Sequence, residues 1–149
     1  MTPPTIRADE KHNGLKKPME LADNLDYSIW VDCEFTDCEL SGTEMSSAIF
    51  SKCVFEDVSL YWSSGFQSTF IDSKFLRCDL RAWFDDARFI RCSFVECEVG
   101  DDGLGGTTEW ENAVAFDCVV SGDPLPIVTS KEESRAEQDA GDQAPAAVE

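Results

Sequence analysis

The stretch 31-VDCEFTDCELSGTEMSSAIFSKCVF-55 carries a bulky apolar residue at every fifth position: Phe35, Leu40, Met45, Phe50 and Phe55. Two residues before each stands a small one, Cys33, Cys38, Thr43, Ala48 and Cys53. A helix repeats every 3.6 residues and a strand every 2, so a period of five belongs to neither. Stepping outward, the count runs back to Trp30 and forward to Leu60, is disturbed at 61–66, and resumes at Phe70, Phe75 and Leu80. It then shortens once to four and continues at Phe84, Phe89, Phe94 and Val99. All ten phenylalanines can be placed on such centres, Phe66 and Phe116 with a one-residue adjustment.

A second period is nested in the first. Every fourth centre falls into a chemically sorted column: Trp30, Phe50, Phe70, Phe89; then Phe35, Phe55, Phe75, Phe94; then Leu40, Leu60, Leu80, Val99; then Met45, Phe66, Phe84. A turn of about twenty residues with four five-residue sides accounts for this, because equivalent side chains then stack at the inter-strand spacing of ~4.8 Å. The segment 100-GDDGLGGTTEW-110 interrupts the count and reads as a loop over 100–109. Beyond it Trp110 is expected in the first column, Val114–Phe116 in the second and Cys118–Val120 in the third, closing a fifth coil.

The units Cys33-Glu-Phe-Thr-Asp, Cys38-Glu-Leu-Ser-Gly, Ala87-Arg-Phe-Ile-Arg, Cys92-Ser-Phe-Val-Glu and Cys97-Glu-Val-Gly-Asp resemble the pentapeptide-repeat family over roughly residues 28–120. The resemblance implies an all-β fold, a right-handed quadrilateral β-helix in which the centre and the small residue both point inward. This chain departs from the family pattern in using Phe more than Leu. The division expected is an N-terminal cap or extension over 1–24, the β-helix over 25–120, and an acidic, disordered tail over 121–149.

Thirty acids against twelve bases leave a formal charge of −18, and residues 25–120 alone hold 19 acids and 6 bases. Such a balance excludes a general binder of nucleic acid or anionic membrane and favours a cationic partner. Seven cysteines at the repeat spacing, an odd number with no leader-like apolar run, read as reduced core residues of a soluble, cytoplasmic protein. With one histidine, His12, nucleophilic triads have no base. No catalytic residue, cofactor site or metal site is expected, and the protein reads as a non-enzyme. The pairs Asp85–Asp86 and Asp101–Asp102 read as surface, and the GLGG at 103–106 lacks the Lys and the strand-to-helix setting of a phosphate loop.

Outward positions sort by face. Glu34, Asp37, Glu56 and Asp57 fall on the second, Glu39 and Asp79 on the third, and Glu44, Asp85 and Asp86 on the fourth beside Trp83, with Tyr61 and Trp62 at its corner. These twelve are the candidate partner-binding residues. The first face carries Ile29, Val31, Ile49, Ile71 and Ile90, a stripe either covered by residues 1–24 or used for dimerisation or partner contact. The acid either keeps a β stack soluble or imitates a polyanion that enters a cleft built for phosphates. Within the family two roles match the second reading, immunity to a bacterial toxin, often a nuclease, and protection of DNA gyrase; a passive scaffold is the remaining alternative. The partner expected is a protein with a cationic cleft, met by a monomer or homodimer without direct contact to nucleic acid or membrane.

Overall fold

The computed structural model describes residues 4–22, 24–100 and 110–127; the expected loop at 100–109, apart from Gly100, and most of the tail, 128–149, lie outside the described residues. Twelve three-residue strands run along the chain: β1 (Ile6–Ala8), β2 (Lys11–Asn13), β3 (Ile29–Val31), β4 (Glu34–Thr36), β5 (Ile49–Ser51), β6 (Val54–Glu56), β7 (Thr69–Ile71), β8 (Lys74–Leu76), β9 (Arg88–Ile90), β10 (Ser93–Val95), β11 (Val114–Phe116) and β12 (Val119–Ser121). The odd-numbered strands stack as one parallel sheet and the even-numbered as another. Isolated parallel bridges supply the other two sides, Glu39–Ser59–Asp79–Glu98 on the third and Glu44–Ser64–Trp83 on the fourth. The chain is a four-sided β-solenoid of about 4 turns.

Each side ends in a corner, and the corners explain the period. The residue two places after a centre has positive φ at Asp32, Asp37, Gly42, Ser47, Lys52, Asp57, Trp62, Gln67, Asp72 and Arg77, and again at Asp86, Arg91 and Glu96. A left-handed residue costs an L-amino acid about 1–2 kcal/mol, yet it turns the chain and aims its own N–H at the coil above. Asp32 N donates to Ser51 O at 3.0 Å, Asp57 N to Leu76 O at 2.9 Å and Trp62 N to Arg81 O at 2.9 Å. Between corners the centre and the small residue face inward, which fixes five residues per side.

The core is two aromatic stacks side by side. Phe35, Phe55, Phe75 and Phe94 lie parallel at 4.9–5.0 Å, and Phe50, Phe70 and Phe89 at 4.9–5.1 Å. Members of the two stacks meet edge to face, as Phe50 and Phe55 do at 5.5 Å. Each such pair contributes about 0.5–1.5 kcal/mol beyond burial. Six cysteines are buried and Cys118 is half-buried, all with free thiols, and they donate to backbone carbonyls, as Cys53 Sγ does to Trp30 O at 3.5 Å. Cys53 is pushed up to about 12 by burial, the behaviour of an apolar filler.

Three placements differ from the sequence reading. The fourth column contains Gly65, not Phe66: Met45 N donates to Ser64 O and Gly65 N to Trp83 O, so Gly65 lies between Met45 and Phe84, while Phe66 faces out at 43% exposure. A Cβ at Gly65 would stand 2.4 Å from Phe84 Cδ1, because the phenyl ring fills that space. After the loop, Ala115 pairs with Phe89 in the first column and Val120 with Phe94 in the second. Trp110 stacks on Phe89 and meets Phe84 edge to face, which puts it in the fourth column, one side earlier than expected. Residue counting carries no phase across an interrupted segment; the ladder sets it. Phe116 accordingly faces out, 67% exposed, and is no core centre.

The third difference is at the other end. Residues 6–22, with 24 and 25, do not lie across the Ile/Val stripe. They wind as a further coil, with Arg7 paired to Trp30 and His12 to Phe35. Both polar residues take inward positions: the Arg7 guanidinium lies 4.5 Å over the Trp30 ring, and His12 stacks on Phe35 at 5.5 Å. A flat cation and an imidazole end the aromatic stacks with groups that tolerate water on one face. Leu21 and Leu25 close the remaining corner and are buried.

Candidate protein-binding surface

Stacking brings together residues about twenty apart, and it divides the twelve candidate acidic and aromatic positions into engaged and unengaged groups. Arg77 lies one coil above Glu56 and Asp57 and pairs with both, Nε to Asp57 Oδ1 at 3.0 Å. Arg81 reaches back to Asp79 at 2.8 Å and lies 4.8 Å over the Tyr61 ring. Arg91 pairs with Asp72 at 2.8 Å, whose carboxyl is held below its ordinary value by that hydrogen bond. The shallow groove between the second and third sides, lined by Asp57, Arg77, Asp79, Glu96 and Glu98, therefore contains a fixed cation. The Arg77 and Arg91 pairs are exposed, and each adds little stability, while the Arg81–Asp79 pair is partly buried; together they neutralise the middle of the stack. Residues 70–88 hold four acids and four bases.

The coil below differs. Residues 30–49 hold Asp32, Glu34, Asp37, Glu39 and Glu44 and no base. All five are exposed, and no ion pair among the described residues includes them. Glu39 accepts a hydrogen bond from Ser41. Lys11, the register partner of Glu34, makes no ion pair with it. Glu34, Asp37, Glu39 and Glu44 thus form one belt round three sides at a single level of the stack.

The fourth side has its own character. Its outward rows are Glu44–Ser64–Trp83, then Asp26–Ser46–Phe66–Asp85–Glu111, then Tyr27–Ser47–Gln67–Asp86–Asn112, placed by backbone bonds between coils such as Ser47 N to Phe66 O and Gln67 N to Asp85 O at 3.0 Å. Among the described residues it carries no Lys or Arg, whereas each other side carries at least one. Asp26 and Asp85 accept backbone N–H groups of Ser46 and Glu111 at 2.7 and 3.0 Å. Trp62 stands at its leading corner, 47% exposed and edge to face with Trp83 at 5.5 Å. Phe66, missed as a surface residue by the five-residue count, adds another exposed ring to this side; the signal that could have found it is Gly65, the only residue type that leaves room for the Phe84 ring.

The side is also one residue short between Leu80 and Phe84. Ala82 N donates to Leu80 O at 2.8 Å instead of to the next coil, and this corner lacks the left-handed residue. The shortening brings Trp83 over Ser64 beside Trp62.

On the first side Ile29, Val31, Ile49, Ile71 and Ile90 are all half-buried, with Ile29 in register beside Ile49 and Ile71 beside Ile90, and Ser51 standing between Val31 and Ile71. The more exposed apolar residues of this side lie at its two ends, Ile6 beside Ile29 on the first coil and Val114 and Phe116 on the last. Among the described residues no group of three or more His, Cys, Asp or Glu could hold a metal ion, and no helix is long and apolar enough to cross a membrane.

Residues 24–57 match the family of pentapeptide repeats, with 8 copies. No curated protein matches the chain. Among solved structures, the trypsin-treated R167E form of QnrB1, a plasmid-mediated fluoroquinolone resistance protein, is 11% identical, covering 97% of this chain and 100% of that one at a TM-score of 0.31. The full-length form of QnrB1 is 10% identical over 87% and 96% of the two chains at a TM-score of 0.27.

Proposed function

From a chain that is a pentapeptide-repeat β-solenoid, we propose a non-enzymatic acidic binding protein that occupies the cationic nucleic-acid site of a protein partner, acting as an immunity protein toward a nuclease toxin. The observation that carries the reading is the unpaired belt of Asp32, Glu34, Asp37, Glu39 and Glu44. Five exposed carboxylates within one coil, with no base among them, repel one another and lower stability. A stack that needed acid only for solubility has the arrangement of residues 70–88 available, where acids and bases are interspersed in equal number. Carboxylates fixed on a rigid coil can meet Arg and Lys side chains that otherwise contact phosphate, and they steer association at low salt.

The test is capture from the native cell at about 50 mM salt, compared with about 300 mM, using the full chain and its Glu34→Lys/Asp37→Lys/Glu39→Lys variant. The reading expects a nuclease to be retained at low salt, released at high salt and not retained by the variant. Retention of DNA gyrase in its place would transfer the same surface to the gyrase-protecting alternative. Equal retention by the variant, or no nucleic-acid-acting protein at low salt, would overturn it.

A further inference from the structure

We infer that the fourth side is a docking surface for an arginine-bearing segment of a protein partner, with Trp62 and Phe66 as its anchors. The inference rests on the proposed cationic partner and says where and how that partner's side chains are held.

The first observation is charge complementarity. Phe66 stands in a row with Asp26 two coils below it and Asp85 and Glu111 above it, and the neighbouring row adds Glu44. No base of this side satisfies them. An aromatic face edged by carboxylates suits guanidinium: the planar cation stacks on the ring while its N–H groups reach the carboxylates at the edge. Ammonium, a strongly hydrated point charge, uses such a face less well. The molecule contains its own instance of the contact one corner away, where Arg81 lies 4.8 Å over Tyr61 and donates to Asp79 at 2.8 and 2.9 Å.

The second observation is the setting of Trp62. It occupies a left-handed corner, φ 61°, where most equivalent corners carry Asp, Asn, Ser, Gly or Gln, and with 47% of the residue exposed much of the indole surface remains available to a partner. Tyr27 shares the conformation but is more exposed and makes no ring contact among the described residues, whereas Trp62 meets Trp83 at 5.5 Å and Tyr61 at 6.2 Å. The ring cluster holds the indole in place for a partner and limits the side-chain entropy lost on binding.

Two labelled peptides, an arginine nonamer and a lysine nonamer, are the probes, with the full chain and its Trp62→Asn/Phe66→Ser variant compared by fluorescence anisotropy. Asn suits the left-handed corner, and a native circular dichroism spectrum with a single cooperative melt in the variant separates a lost anchor from a lost fold. The expected result is an arginine preference of about tenfold in the native protein that disappears in the variant, leaving lysine-level binding. Equal binding of both peptides to the native protein, or an arginine preference that survives in the variant, overturns the anchor. If both peptides bind alike with steep salt dependence, the acidic belt stands and only this inference fails; if neither binds at low salt, the belt fails with it.

Discussion

Replacing Gly65 by Ala sets backbone propensity against packing, and the structure says which wins. Gly65 has no left-handed backbone requirement, so a methyl group that restricts the unfolded chain stabilises by roughly 0.4–1 kcal/mol when it meets nothing. Here it meets Phe84 Cδ1 at 2.4 Å, Cε1 at 2.6 Å and Ser68 Oγ at 2.9 Å. None of these can retreat cheaply. The Phe84 ring is held edge to face by Phe70, Phe89 and Trp110 at 5.9, 5.6 and 5.0 Å, and the Ser68 hydroxyl donates to Gly65 O at 2.6 Å in a buried position. Overpacking of this kind costs about 1–3 kcal/mol, leaving a net loss near 1–2 kcal/mol, or a fall in Tm of roughly 4–10 °C for a domain of this size. Thermal and urea unfolding followed by circular dichroism measure it. Phe84→Leu, which vacates part of the space, restores a portion of the loss in the double variant and is itself destabilising alone. A Gly65→Ala protein as stable as the native one would refute the placement of Gly65 in the core column and with it the outward assignment of Phe66.

Two further outcomes follow from the titrating groups. The Glu10 carboxyl is held below its ordinary 4.5 first by the hydrogen bond from Arg7 and then by His12, so its contribution is complete above that value and is lost as pH falls through the lowered one. Acidification from about pH 5 to pH 3 should therefore loosen the first coil, read as a change in Trp30 fluorescence that Glu10→Gln abolishes; an identical titration in that variant counts against the Arg7–Glu10 clamp. The Cys118 thiol, half-buried and lowered to about 7 by its hydrogen bond with Cys92, should be alkylated by iodoacetamide well before Cys53, which burial pushes up to about 12. Mass spectrometry of partly labelled native protein checks the order, and equal rates at the two sites would mean that the last coil opens as readily as the middle of the stack.

The core was legible because stacking makes equivalent residues chemically alike: Phe35, Phe55, Phe75 and Phe94 announce their column by type alone. The first coil was not, since Arg7 and His12 take inward positions without an apolar signature. Its trace in the sequence is Asp9 and Gly14, each two residues after an inward residue and each left-handed. Asp, Asn and Gly tolerate that conformation, so corner residues locate coils where centres do not. Charge was legible in amount but not in pairing. Arg77 meets Asp57 across twenty residues, and only the vertical register says that it meets an acid while no base meets Glu34 or Asp37. The fourth side was partly read, through Trp62, Trp83, Asp85 and Asp86. Phe66 was lost from it because a phenylalanine next to a five-residue position looks like a displaced core residue until the glycine beside it is seen to be filled by another ring.

The central claim is that this protein and nucleic acid take the same site on the partner. The direct measurement is competition: the retained partner is loaded with a short labelled duplex, the native chain is added, and the duplex released is followed at fixed salt. The account predicts full displacement by the native chain and none by the Glu34→Lys/Asp37→Lys/Glu39→Lys variant. A stable ternary complex of partner, duplex and native chain would contradict it.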